Sequence, residues 1–107
     1  MTREQLPNRR LNETQEFDRN GIHITMTVGF KSNGDVGEVF FNADRSNSML
    51  DVLMSDAAII ASIAMQTGVT LRQITHAIKR DKFGIASSPI GAALDRISVP
   101  EVVNAEK

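Results

Sequence analysis

The chain has 107 residues, 12 lysines and arginines against 13 acids, no cysteine and a formal net charge of −1. That length holds one domain, near the size at which a second subunit often completes the core. The absence of cysteine removes disulfides, thiolate nucleophiles, zinc–thiolate sites and iron–sulfur clusters together; the lack of a basic excess excludes general nucleic-acid binding, so any anion site has to be local.

Residues 1–10 carry Pro7 and three arginines with few apolar groups, which predicts a flexible N-terminal arm or one ordered only against another surface. No apolar run follows its charges, so a secretory leader is not expected and a cytoplasmic location is. Leu11 to Arg19 reads as a weak strand. The run "GIHITMTVGF" then alternates, with Ile22, Ile24, Met26, Val28 and Phe30 on one side and His23, Thr25 and Thr27 on the other, the pattern of a half-buried strand. Asn33-Gly34 in "KSNGD" signals a tight hairpin turn whose two central residues need positive φ. "VGEVFFNA" is the return strand, and its adjacent Phe40 and Phe41 must point to opposite faces.

After Asp44 the period lengthens to that of a helix. Ser48 with Asp51 three residues on predicts its start and Gly68 its end. Between them Met49, Leu50, Leu53, Met54, Ala57, Ile59, Ile60, Ile63, Ala64 and Met65 leave little polar circumference. Such a helix is buried on more than one side. Asp51 and Asp56 argue against a membrane span, so the second cover is expected to be later helices or another copy of the chain, and a homo-oligomer is expected. Thr70 and Gln73 form a second capping box ahead of "LRQITHAIKR". There Leu71, Ile74 and Ile78 make an apolar stripe, and Arg72, His76, Lys79 and Arg80 a basic ridge on the opposite flank. Ser88-Pro89 reads as N-cap and first helical residue, with Ala92, Ala93, Leu94 and Ile97 continuing inward. The fold expected is α+β, an antiparallel sheet of about three strands followed by three helices packed on one face. The division expected is an arm at 1–10, one domain at 11–98 and a flexible tail at 99–107.

Most of the chemistry lies in "DKFGIASSPIGAALDRI", from Asp81 to Ile97. Backbone N–H groups at a helix start point outward and attract phosphate. Ser87 and Ser88 add hydroxyls, Lys79, Arg80 and Lys82 add cations, and Phe83 offers a flat face to a base. Each residue also has a plain reading: Ser88 caps a helix, Gly84 ends the previous one, and the lysines complement its C-terminal dipole. Both readings stay open. His23 and His76 stand without paired carboxylates in sequence and read as surface histidines. No nucleophile elbow, Walker loop or His-Glu-x-x-His run is present. No metal, no cofactor and no enzymatic activity are expected.

The segments "LPNRR", "TVGFKSNGDVGEVFF", "SIAMQTGVTL" and "SSPIGAALDRI", spread over residues 6–97, resemble the TSCPD domain. This small module is found at the C-terminal end of cobalamin-dependent ribonucleotide reductases and sometimes stands alone. The family is named for a cysteine before proline; this chain has Ser88 at that place and Ile90 where an acid would stand, so a redox or metal role of that cysteine does not transfer. The resemblance implies an accessory domain associated with nucleotide chemistry, without the reductase's catalytic machinery. Two functions follow as expectations. One is an oligomeric protein that binds a phosphorylated nucleotide or nucleotide-derived signal through Arg72, His76, Lys79, Arg80, Lys82, Phe83, Ser87 and Ser88, with Arg9 and Arg10 from the arm. It would act by sequestration, as phage proteins that soak up cyclic-nucleotide signals do. The other is an interaction module that docks on a reductase or another nucleotide enzyme.

Overall fold

The computed structural model describes residues 2–8, 11–19, 21–43 and 48–105. Its elements run β1 (Asn12–Arg19), β2 (Ile22–Phe30), β3 (Val36–Ala43), α1 (Met49–Gln66), α2 (Leu71–Ala77) and α3 (Pro89–Ala105). This is the α+β order of a three-stranded antiparallel sheet followed by three helices. The chain forms two compact units, Met1–Val69 and Thr70–Lys107.

In the first unit the strands lie in the order β1-β2-β3. Alternation in β2 does what the period of two requires: Ile24, Met26 and Val28 are at most 1% exposed. Phe17 pairs with Ile24 on one side, while Phe41 and Val39 pair with Met26 and Val28 on the other. Phe30, at the end of β2, is half-buried; opposite it the β2–β3 register shifts from Gly29↔Glu38 to Phe30↔Val36, which makes Gly37 of β3 the extra residue of a bulge. Phe40 and Phe41 divide as the pleat demands, 52% and 5% exposed. The hairpin turn is one residue wider than the Asn-Gly signal implies. Lys31 N–H donates to the Asp35 carbonyl and only Gly34 is a positive-φ glycine there, which gives a three-residue loop with glycine at the left-handed position.

The start of α1 is fixed by Ser48 Oγ, which accepts from the Asp51 N–H at 3.1 Å. Gly68, at φ +108, follows its end. The helix packs on β3, and it does so at the strand's outer edge. Ser62 Oγ accepts from Val39 N–H at 2.9 Å and donates to Val39 O at 3.3 Å, and Gln66 Nε2 donates to Gly37 O at 2.9 Å. Two polar side chains one turn apart on an apolar helix thus replace the fourth strand that the edge lacks. By length and composition α1 is apolar enough to cross a membrane, but here one side of it is bonded to β3. The start of the arm is held beside the same elements: Glu4 N–H donates to Gln66 O, Arg3 Nε donates to Gln66 Oε1, and Glu4 pairs with Lys31 at 3.7 Å. Arg9 and Arg10 lie outside the described residues.

In the second unit Thr70 and Gln73 make the expected reciprocal capping box on α2. Helices α2 and α3 pack together, and Leu71, Thr75, Ala86, Ala93, Leu94 and Ile97 are buried. Helical backbone runs on to Ala105, through the segment from Val99 that the sequence reading assigns to a tail.

Candidate functional site

The link between α2 and α3 contains most of the site residues named from sequence. Helix α2 stops at Ala77, three residues before Arg80, the end of the expected basic ridge. Arg72 and His76 are exposed one turn apart on it, whereas Lys79 and Arg80 belong to the extended segment beyond. Arg80 pairs with Ala86 as an isolated antiparallel bridge, so the intervening residues form a miniature hairpin. Its turn is organised by Asp81, whose Oδ1 accepts from Phe83 N–H at 2.8 Å and Ile85 N–H at 3.0 Å, and by Gly84 at φ +82. Gly84 therefore closes this turn and does not end a helix.

Arg80 is the knot of the link. One terminal nitrogen donates to Asp95 Oδ2 at 2.7 Å and Gly84 O at 3.0 Å; the other donates to Asp95 Oδ1 at 2.8 Å and Thr75 O at 2.6 Å. A planar fork with all four terminal N–H groups occupied has nothing left there for a phosphate except by breaking these bonds. Hydrogen bonding to Asp95, opposed by burial and aided by the same carboxylate's charge, raises Arg80 above its ordinary value, so it stays cationic at every pH of interest. Arg80 accordingly holds the turn together, in place of the clamp expected from its basic neighbours.

Ser88 is likewise engaged. Its Oγ accepts from Gly91 N–H at 3.0 Å, which satisfies one of the outward N–H groups at the start of α3. Ser87 N–H donates to Lys79 O. What the link offers outward is its tip: Phe83 is 77% and Ile85 58% exposed, and Lys82 Nζ sits 5.2 Å from the Phe83 ring centroid. The structure thus brings Lys79, Lys82, Phe83 and Ser87 into one short link, ties up Arg80 and Ser88, and leaves Arg72 and His76 on the helix before it.

His23 has the paired carboxylates that its sequence neighbours do not reveal. Its ring nitrogens lie 2.9 Å from Glu16 Oε1 and 3.0 Å from Asp18 Oδ1, because register sets Asp18 opposite His23 on β1. Among the described residues no group of three or more His, Asp or Glu side chains is arranged to hold a metal ion.

Residues 2–103 match the TSCPD domain family. The chain belongs to that family. It is 32% identical over 81 residues to the vitamin B12-dependent ribonucleotide reductase of Agrobacterium fabrum and 28% identical over 81 residues to that of Bradyrhizobium diazoefficiens. Each match takes in 76% of this TSCPD chain but 6% of the reductase, so the chain spans a small fraction of the length of these relatives. No solved structure matches.

Sequence reasoning missed the TSCPD chain's most connected polar groups. Asp95 stands 15 residues from Arg80 and has no local signature. Ser62 and Gln66 did carry a signal, being polar residues at i, i+4 on an otherwise apolar helix, the spacing that puts both on one face.

Proposed function

We propose that this TSCPD chain is a non-catalytic accessory module that docks, through the outer side of α1, on a nucleotide enzyme of the ribonucleotide reductase kind. The observation that carries the proposal is the exposed stripe of α1. Met49, Val52, Leu53, Ile59, Ile60 and Ile63 are 39–73% exposed. At 100° per residue they fall on the side opposite Met54, Ala58, Ala61 and Met65, which are buried. A contiguous apolar stripe of that size in water marks an interaction surface. Its spacing of three and four residues is that of a helix-pairing seam.

Asp56 stands at the centre of the stripe, with Met49 and Ile63 seven residues to either side. Antiparallel pairing of two copies would bring the two Asp56 carboxylates together at the two-fold axis, which is unfavourable. A partner helix with an apolar seam and a lysine or arginine opposite Asp56 is complementary. The test mixes the chain with a B12-dependent reductase lacking its own TSCPD portion and measures mass by light scattering after size exclusion. A complex should form, should be lost with Ile60→Glu, and should weaken about tenfold with Asp56→Lys, the worth of one charge pair at such an interface. Separate elution of chain and reductase refutes docking. Self-association that Ile60→Glu abolishes would assign the stripe to a second copy, the homo-oligomer expected from composition.

A second reading, sequestration of a phosphorylated nucleotide, draws on the exposed Phe83 with Lys82 beside its ring. Its cations would be Lys79 and Lys82, with Arg80 held back by Asp95. Calorimetric titration of mono-, di- and cyclic nucleotides into parent and Phe83→Ala decides it; no heat with any of them removes the reading.

A further inference from the structure

The β3 edge is incompletely covered, and the gap has a specific chemistry. Along the strand, Gly37 is met by Gln66 and Val39 by Ser62. Two strand residues advance about 6.8 Å and four helix residues about 6 Å, so the next step brings Phe41 opposite Ala58. Phe41 has the same parity as Val39, whose N–H and C=O point outward to Ser62, so the N–H and C=O of Phe41 also point outward. A methyl group cannot answer them. Among the described residues neither group has a hydrogen-bond partner, although Phe41 is only 5% exposed. A cleft of about 470 Å³ opens at this place, and Phe41, Asn42, Ser55, Ala58 and Ile59 are among its lining residues.

We propose that this cleft binds a small planar heterocycle carrying a hydrogen-bond donor beside an acceptor, the pattern on the edge of a nucleobase. In extended backbone the N–H and C=O of one residue point the same way and lie side by side, an acceptor next to a donor, and they match such an edge with two hydrogen bonds. Ala58 and Ile59 supply the apolar wall that a ring needs, and buried backbone groups gain most from being paired. An added peptide strand does not fit the same edge, because Ser62 and Gln66 already hold the neighbouring positions. The pair at Phe41 is open, and one ring edge fills it. The cleft shares Ile59 with the margin of the docking stripe, whose other residues lie on the far side of α1; Ile60→Glu therefore tests docking without touching the cleft.

The test is ¹H–¹⁵N NMR of the intact chain titrated with adenosine and with uridine up to about 10 mM, the weak end of small-ligand affinity. Movement of the Phe41 amide with either nucleoside is expected, and N6,N6-dimethyladenosine, which lacks the donor, should bind at least tenfold more weakly than adenosine. Ala58→Ser places a hydroxyl where Ser62 has one for Val39; it should weaken nucleoside binding at least tenfold while the fold persists. The Phe41 amide in the parent reads the site even if that variant fails to fold. No Phe41 shift with either nucleoside, or equal binding by the dimethyl analogue, overturns the proposal.

Discussion

Ser62→Ala tests the way α1 is attached to the sheet. The hydroxyl serves both backbone groups of Val39, a residue with no exposed surface, and Ser62 itself is 7% exposed. Alanine is the better helix former and removes no apolar contact, so the cost is that of leaving a buried donor and acceptor without a partner. At about 1–3 kcal/mol for the short bond from Val39 N–H, with less for the 3.3 Å bond, the loss is about 2–3 kcal/mol. For a domain of this size that lowers Tm by about 10–20 °C. Urea denaturation followed by circular dichroism measures it. Ser55→Ala is the control, since Ser55 is half-buried on the same helix and has no hydrogen-bond partner for its side chain among the described residues; it should stay within about 0.5 kcal/mol of the parent. Equal stability of Ser62→Ala and the parent would refute the idea that α1 seals the β3 edge through its polar side chains.

Two further outcomes follow from the second unit. Ser88→Ala should cost about 1 kcal/mol in the same denaturation assay, because the Gly91 N–H loses its cap at the start of α3. Arg80→Lys keeps the charge but not the fork that spans Asp95, Gly84 and Thr75; hydrogen exchange at residues 81–85 should accelerate while exchange in β2 does not change. Unaltered protection of the link would mean that Asp81 and Gly84 hold the turn without Arg80.

The parts of this fold that were legible in the sequence are those decided within a few residues. The alternation of Ile24, Met26 and Val28, the caps at Ser48, Thr70 and Ser88, and the separation of Phe40 from Phe41 all follow from backbone period or from a side chain reaching three residues along its own chain. The family resemblance was legible for a related reason, since short runs such as "SSPIGAALDRI" carry turn and cap chemistry in fixed order. The position of Gly84 was misread because Asp81 creates a turn of its own where a helix end also satisfies the pattern.

The sequence by itself determined an α+β chain with a hairpin, a helix apolar on two sides and a cation-rich link. Only the tertiary structure decided which of their groups are already engaged. Arg80 is a free cation in sequence and a fully bonded fork in space, because Asp95 arrives from a helix 15 residues later. His23 gains two carboxylates through strand register. Ser62 and Gln66 reach backbone groups 23 and 29 residues away, and Ala58, one turn earlier, reaches none. A backbone N–H or C=O is the same in every residue, so whether it is paired, covered or open depends on which segment is laid against it. That is fixed by the packing of α1 on β3, and no local pattern around Phe41 records it.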